Sequence, residues 1–239
     1  MSDAVTDATA AKAGPADLIE IFYAPSAVFA RRSDGKFGLP YLALLIIGIV
    51  LFFATKNLFQ PVVDAEIARS LAQAAARNKM TPEQLASATS LAHTIGSFGL
   101  IAFYLIAPFL VGLWIWVAGS LARAPKIGTV AIMIATFSIY PRLVGSIVGA
   151  VLAAVLPESS LTSAAAVSVS PARFVDPTTS PGLYALLGRF DLFILWGVVL
   201  IAIGVQAAGR ATKKQAWITA IGAWVIMSLP TLWGAIRNG

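Results

Sequence analysis

The stretch Ser180–Lys214, "SPGLYALLGRFDLFILWGVVLIAIGVQAAGRATKK", decides the fold class. It is a long apolar run with Arg189 and Asp191 near its start and a basic cluster just past its end. A helix that crosses a bilayer needs about 20 apolar residues, and a carboxylate inside such a run is costly in lipid. The run therefore predicts a membrane helix, and it raises the question of what Asp191 does there.

The composition of the whole chain points the same way. Its 239 residues are 58% hydrophobic and only 12% charged, whereas soluble domains are about 25% charged. A soluble fold of this size has too little interior to hide so much apolar surface. The net charge of +6 comes from basic residues beside apolar runs, a pattern typical of membrane orientation, so we expect no nucleic-acid partner.

Five segments are long and apolar enough to span a membrane, and they predict an all-α integral membrane bundle. Helices are favoured because lipid cannot satisfy exposed backbone groups, and the runs lack the alternation of a barrel strand. The predicted spans cover residues 39–59, 95–121, 129–156, 183–208 and 215–236.

Two segments precede the membrane domain. Residues 1–15 are small, polar and net acidic, lack the pattern of a secretory signal, and predict a disordered tail. Residues 16–38 combine apolar side chains with Arg31, Arg32 and Lys36. They predict an interfacial cytoplasmic helix whose bases face anionic headgroups, and a simple basic flank of the first span is an equal alternative.

The membrane domain, residues 39–239, includes one long loop. Residues 61–94 have apolar side chains at helical spacing and predict a helical outer loop. Within it, "TPEQ" indicates a helix start with Thr81 as the cap and Pro82 in the first turn. We interpret this loop as a structural cap on the bundle or as a partner-binding surface.

The distribution of basic residues sets the predicted orientation. With the amino terminus in the cytoplasm and the carboxyl terminus outside, nine Lys and Arg side chains lie inside and five outside. The inside set is Lys12, Arg31, Arg32, Lys36, Arg123, Lys126, Arg210, Lys213 and Lys214, and the outside set is Arg69, Arg77, Lys79, Arg173 and Arg237.

Four charged side chains lie within or at the ends of the spans. Asp191 needs a partner, a watery crevice or a shallow position. The leading hypothesis is an ion pair between Asp191 and Arg142, with Asp191–Lys56 second, while Arg189 extends towards the headgroups. The pair would fix the register of two helices as a structural lock, or it would form a proton or ion site.

Proline and glycine mark further positions in the spans. Pro108, Pro141 and Pro230 predict breaks or kinks in their helices. Gly145 and Gly149 are four residues apart and permit close helix contact. The chain has no cysteine, no HExxH, no G-x-S-x-G and no P-loop. We therefore predict no catalytic, metal or cofactor site and a protein that is not an enzyme.

Four motifs together resemble the Yip family of five-span membrane proteins, named for interaction with Ypt/Rab GTPases. They are "IFYAPSAVFARR", "ARAPKIGTVAIMIATFSIYP", "LGRFDLFILWGVVLIAIGVQ" and "ATKKQAW". Eukaryotic members are implicated in traffic between endoplasmic reticulum and Golgi, but their "DLYGP" signature is absent here. The Ala-rich composition and short cytoplasmic loops resemble bacterial members, which implies a multi-pass protein of the bacterial inner membrane.

Two functions follow as hypotheses. The first is membrane organisation or partner binding, the partner being another membrane protein or a second copy of the chain. The alternative is a carrier of lipid or a small solute that uses a polar site around Asp191 and Arg142. Membrane lipids are partners in both. A hydrated cavity that reaches Asp191 would favour the carrier, and a dry bundle with an apolar surface groove would favour the first function.

Overall fold

The computed structural model describes residues 13–78 and 80–238, and all regular secondary structure in these two ranges is helical. The α-helices are α1 (Asp17–Glu20), α2 (Pro25–Arg31), α3 (Gly38–Asn78), α4 (Pro82–Leu121), α5 (Ile127–Val155), α6 (Pro181–Gly188), α7 (Leu192–Ala207) and α8 (Lys213–Asn238). The connection between α5 and α6 contains three short 3₁₀ helices, Glu158–Ser160, Ala164–Val167 and Pro171–Phe174.

The described part of the chain contains four helical stretches that could each cross a membrane, namely Gly38–Ala75, Ile101–Leu121, Ile127–Val155 and Lys213–Gly234. The pair α6 and α7, bent by 47°, would form a fifth span. Large apolar side chains cover the outside of these helices; Ile46 is 53% exposed, Leu110 52% and Ile221 50%. Water would not tolerate so much exposed apolar surface, so the all-α membrane bundle is confirmed.

Helix α5 lies at the centre of the bundle. It packs against α3, α4 and α7, and α8 closes the far side by packing on α4 and α7. Two glycines of α7 permit its close approach to α5, because a side chain at Gly197 would meet the Ser138 carbonyl and one at Gly204 would meet Ile134. The hydroxyl of Tyr140 is buried and donates to the carbonyl of Pro40 at 2.8 Å, which fixes α5 to the start of α3.

Helices α3 and α4 are about 60 Å long at 1.5 Å per residue, twice the thickness of the hydrocarbon core. The predicted outer loop, residues 61–94, is therefore a continuation of both helices. As predicted, Thr81 caps α4. Its hydroxyl accepts from the amide of Gln84, and the Gln84 side chain accepts from the amide of Thr81.

The predicted breaks at three prolines do not interrupt the helices that contain them. Helix α4 continues through Pro108, α5 through Pro141 and α8 through Pro230. Pro108 and Pro141 are buried, whereas Pro230 is exposed. The interruption lies instead between Gly188 and Leu192, where the sequence predicted one continuous span, 183–208.

Two basic turns lie at one end of the bundle and share a backbone conformation. Arg123, after α4, has φ 55° and Arg210, after α7, has φ 54°, a left-handed conformation that is uncommon for residues other than glycine. The side chain of Gln215 donates to the carbonyl of Arg123 at 2.9 Å and joins the two turns. Helix α5 leaves this end as α7 arrives at it, so the α5–α6 connection lies at the opposite end.

The amino-terminal segment docks against this bundle through buried charges. The carboxylate of Asp17 is 2% exposed, and it accepts from Arg31 at 2.6 Å and from Arg32 at 2.7 Å. Arg31 also pairs with Glu20. The guanidinium of Arg32 lies over the ring of Phe137 of α5 at 5.6 Å. This buried ion-pair cluster therefore ties α1 and α2 to the core of the bundle.

The predicted orientation of these bases is wrong for two of them. The side chains of Arg31 and Arg32 are only 5% and 4% exposed, because they neutralise carboxylates of α1 and cannot reach headgroups. Lys36 is exposed and pairs with Asp34. Residues 1–12 of the predicted disordered tail lie outside the described residues, whereas the amide of Gly14 donates to Asp17.

Replacing Asp17 with Asn should destabilise the protein by about 3–5 kcal/mol, because it leaves two buried guanidinium groups without their shared counter-charge. Asp34→Asn is the matched control. It removes an exposed ion pair, which typically contributes about 0–1 kcal/mol. Thermal unfolding in detergent measures both, and equal losses for the two variants would contradict the structural role of the cluster.

The docked segment should also be stable to mild acid. Burial raises the pKa of Asp17, but hydrogen bonds from Arg31, the Gly14 amide and Arg32 outweigh it and hold the pKa below its ordinary value. The stabilisation by Asp17 is then present above about pH 4 and is lost only as the pH falls through the lowered pKa of Asp17 in the folded protein. Hydrogen exchange of residues 14–32 should stay protected from pH 8 to 5; loss of protection within that range would contradict the lowered pKa.

Candidate functional site

Asp191 lies at the bend between α6 and α7 and caps α7. One carboxylate oxygen accepts from the amides of Phe193 at 2.9 Å and Ile194 at 3.3 Å. The other accepts from the amide of Val169 at 3.1 Å, in the α5–α6 connection. The carboxylate in the apolar run thus satisfies amides that a helix start would leave without partners.

Arg189 also serves the bend, but on the opposite side. Its Nε donates to the hydroxyl of Ser228 at 2.9 Å, and its carbonyl accepts from the indole of Trp224 at 3.3 Å. Both partners belong to α8, so Arg189 fixes the bend to α8. It does not extend along the span towards headgroups as predicted.

Arg142 lies near the middle of α5, 15 residues after its start. Its guanidinium lies 5.3 Å from the centre of the Phe103 ring, and within the described residues it has no ion-pair or hydrogen-bond acceptor on the protein. The predicted Asp191–Arg142 ion pair is not formed, and neither is Asp191–Lys56. The physical reason is that the start of α7 and the amide of Val169 direct the Asp191 carboxylate towards the backbone, and within the described residues no cationic nitrogen lies at ion-pair distance from it.

A cavity of about 990 Å³ brings Arg142, Lys56 and Asp191 to one surface. It lies in the half of the bundle away from the basic turns, between the outer parts of α3 and α4, the second half of α5 and the start of α7. The 3₁₀ connection forms its remaining wall. Its aromatic lining is provided by Phe52, Phe53, Phe59, Phe98, Phe103, Tyr104, Tyr184 and Phe193.

The polar groups of the cavity leave a positive balance. The cavity lining carries two basic side chains, Arg142 and Lys56, and one acidic side chain, Asp191, whose carboxylate accepts from three backbone amides. Lys56 is exposed at the rim, with its Nζ 5.6 Å from the ring centre of Phe53. His93, also at the rim, has Nδ1 3.7 Å from a carboxylate oxygen of Asp64. An anion that enters would meet positive charge against apolar walls.

Some of this site was not predicted. The 3₁₀ connection, to which no role was assigned from the sequence, supplies a wall of the cavity. Gly149 faces the carbonyl of Val167 in that connection, and Gly145 faces the ring of Phe193. A signal was available, since Phe52, Phe53 and Phe59 cluster in the outer part of α3. No group of three or more His, Asp and Glu side chains that could hold a metal ion occurs in the described ranges.

Asp191→Ala should lower the free energy of unfolding more than Asp191→Asn does. Alanine removes the cap, at about 0.5–2 kcal/mol, and leaves the Val169 amide unsatisfied. Asparagine keeps an acceptor for Phe193 and Ile194. Thermal unfolding in detergent compares the two variants.

The double variant Asp191→Arg with Arg142→Asp distinguishes a cap from an ion pair, because arginine at position 191 cannot accept the amide hydrogen bonds. It should be no more stable than the worse single variant. Recovery of stability in the double variant would restore the ion-pair hypothesis and contradict the cap.

Comparison with known proteins gives two matches. The family model described as the Yip1 domain matches residues 19–234. Membrane protein YknW of Bacillus subtilis (strain 168) is 30% identical over 157 residues, which make up 65% of this chain and 64% of YknW. The match thus covers less than two thirds of that relative's length. No solved structure matches the chain.

Proposed function

The chain belongs to the Yip1 domain family, and from this premise we propose that it is a non-enzymatic membrane protein that binds and carries a lipid or similar amphiphile in the cavity beside Arg142. The observation that carries the proposal is a 990 Å³ space that joins aromatic walls to charged groups inside a membrane bundle. Binding sites for small molecules measure roughly 300–1,000 Å³ and combine apolar walls with a few polar groups.

Access from the bilayer supports an amphiphile over a water-soluble molecule. Phe53 and Phe98 line the cavity, and their side chains are 58% and 64% exposed, so the cavity is open to the surroundings of the bundle at these two rings. Apolar side chains at such an opening favour contact with lipid. A lipid can place its polar end within the cavity while its acyl chains stay among those of the bilayer.

The proposed location follows from the orientation of the helices. Basic turns favour the cytoplasmic side, and the turns at Arg123 and Arg210 lie at the end opposite the cavity. In a bacterial inner membrane with the amino terminus inside and the carboxyl terminus outside, the cavity then opens in the outer half of the bilayer. The relative YknW is named as a membrane protein of a bacterium, which supports this membrane.

A second candidate function is partner binding through the extended arms of α3 and α4. Leu91 and Ile95 of α4 do not line the cavity and are 60% and 61% exposed beyond the outer end of the span that begins at Ile101. Exposed apolar side chains on such an arm are typical of a surface that another membrane protein, or a second copy of the chain, covers. This function does not require an occupied cavity, so an experiment on the cavity separates the two.

Filling the cavity should remove the amphiphile. A Cβ at Gly99 would meet no atom within 4 Å, and Gly99 lines the cavity, so Gly99→Phe adds a ring at the cavity wall from an uncrowded backbone position. We expect retained lipid to bind at least about tenfold more weakly, equivalent to ~1.4 kcal/mol. Native mass spectrometry of the chain purified from bacterial membranes counts the lipids retained.

Gly234→Phe is the matched control, because Gly234 has equally open surroundings on α8 and does not line the cavity. It should retain lipid as the wild type does. If the wild type holds no lipid, or if both phenylalanine variants hold as much as the wild type, the amphiphile proposal is wrong and the partner-binding candidate replaces it.

A further inference from the structure

We infer that the amphiphile bound in this cavity has an anionic headgroup, a phosphate ester or a carboxylate, held by the guanidinium of Arg142. The inference rests on the proposed function and adds the chemical class of the ligand. It comes from the one feature of the bundle that the fold leaves unexplained: a cation at mid-depth whose donors meet no protein acceptor in the described residues.

Four other buried or half-buried arginines each contact an acceptor on the protein. Arg31 and Arg32 pair with Asp17, Arg69 pairs with Glu66, and Arg189 donates to Ser228. A guanidinium has five N–H donors, and burying it without acceptors is costly. Arg142 differs from these four because its guanidinium faces a cavity large enough for a ligand.

No acid of the described residues forms an ion pair with Arg142. Asp191, on the cavity wall, accepts from the amides of Val169, Phe193 and Ile194, and it attracts Arg142 only from beyond contact distance. A group that accepts hydrogen bonds directly from this guanidinium would therefore come from outside the chain.

The chemistry of arginine favours a particular kind of anion. Its planar donors match the paired oxygens of phosphate and carboxylate groups, and aromatic walls strengthen the attraction by lowering the local dielectric constant. Lys56 at the rim adds a second positive charge on the path inward. The ring of Phe103 faces the guanidinium at 5.3 Å and leaves the remaining directions for the headgroup.

The test measures lipid selectivity of the full chain in nanodiscs that contain equal amounts of phosphatidylglycerol, which is anionic, and phosphatidylcholine, which is zwitterionic, with identical acyl chains. Native mass spectrometry after release reports which lipid remains bound. The wild type should retain phosphatidylglycerol with at least about tenfold preference, because the choline cation of phosphatidylcholine offsets its phosphate charge and is repelled by Arg142 and Lys56. Arg142→Gln should lose this preference, and Arg142→Lys should keep part of it.

Lys214→Gln is the control for general attraction to anionic lipid, because Lys214 is exposed at the basic end of the bundle. It should leave the preference unchanged. Folding of Arg142→Gln is checked by its melting temperature in neutral detergent, which should equal or exceed that of the wild type. Added phosphatidylglycerol should raise the melting temperature of the wild type and of Lys214→Gln, but not that of Arg142→Gln.

Each remaining outcome points to a definite error. If Arg142→Gln retains lipid with the wild-type preference while Gly99→Phe loses it, the headgroup inference is wrong and the proposed function stands. If the wild type retains neither lipid, the proposed function itself fails. If water-soluble glycerol phosphate protects the wild type as well as phosphatidylglycerol does, Arg142 binds a free anion, and the amphiphile is contradicted.

Discussion

The constraint on which this structure depends is that a backbone amide inside a membrane must find an acceptor within the protein. The break between α6 and α7 exposes the first amides of α7, and the carboxylate of Asp191 accepts from two of them. It also accepts from Val169, so the same side chain fixes the 3₁₀ connection to the bend. A charged residue in an apolar run is therefore explained by the backbone around it, without a cation as its partner.

Charges in this chain have two contrasting environments. At the basic end, Asp17 and Glu20 together neutralise Arg31 and Arg32. At the other end, Arg142 faces a cavity and lies over an aromatic ring, without an ion pair among the described residues. The first arrangement is charge-balanced and has a structural role that needs no ligand. In the proposed function an external anion completes the second, and intramembrane ionisable groups of that kind commonly mark ligand paths.

The sequence predicted the apolar helices and the Thr81 cap because both depend on neighbours close in the chain. It predicted the partner of Asp191 wrongly. A capping role for Asp191 becomes evident only when a helix is known to begin at Leu192, and the sequence predicted one continuous span through that point. No proline marks the break, and the three prolines within predicted spans lie in continuous helices. The burial of Arg31 likewise depends on the docking of α1 and α2, a long-range contact that periodicity does not reveal.

The break also shapes the cavity. The first turn of α7 reaches as far along α5 as Gly145, where a side chain would meet Phe193. Beyond the bend, α6 turns away by 47° and packs on α8 and on Pro171–Phe174. The α5–α6 connection therefore forms the cavity wall beside Gly149, where a side chain would meet the carbonyl of Val167. Asp191 holds this connection through the amide of Val169, so the side chain that makes the start of α7 stable also fixes a wall of the cavity.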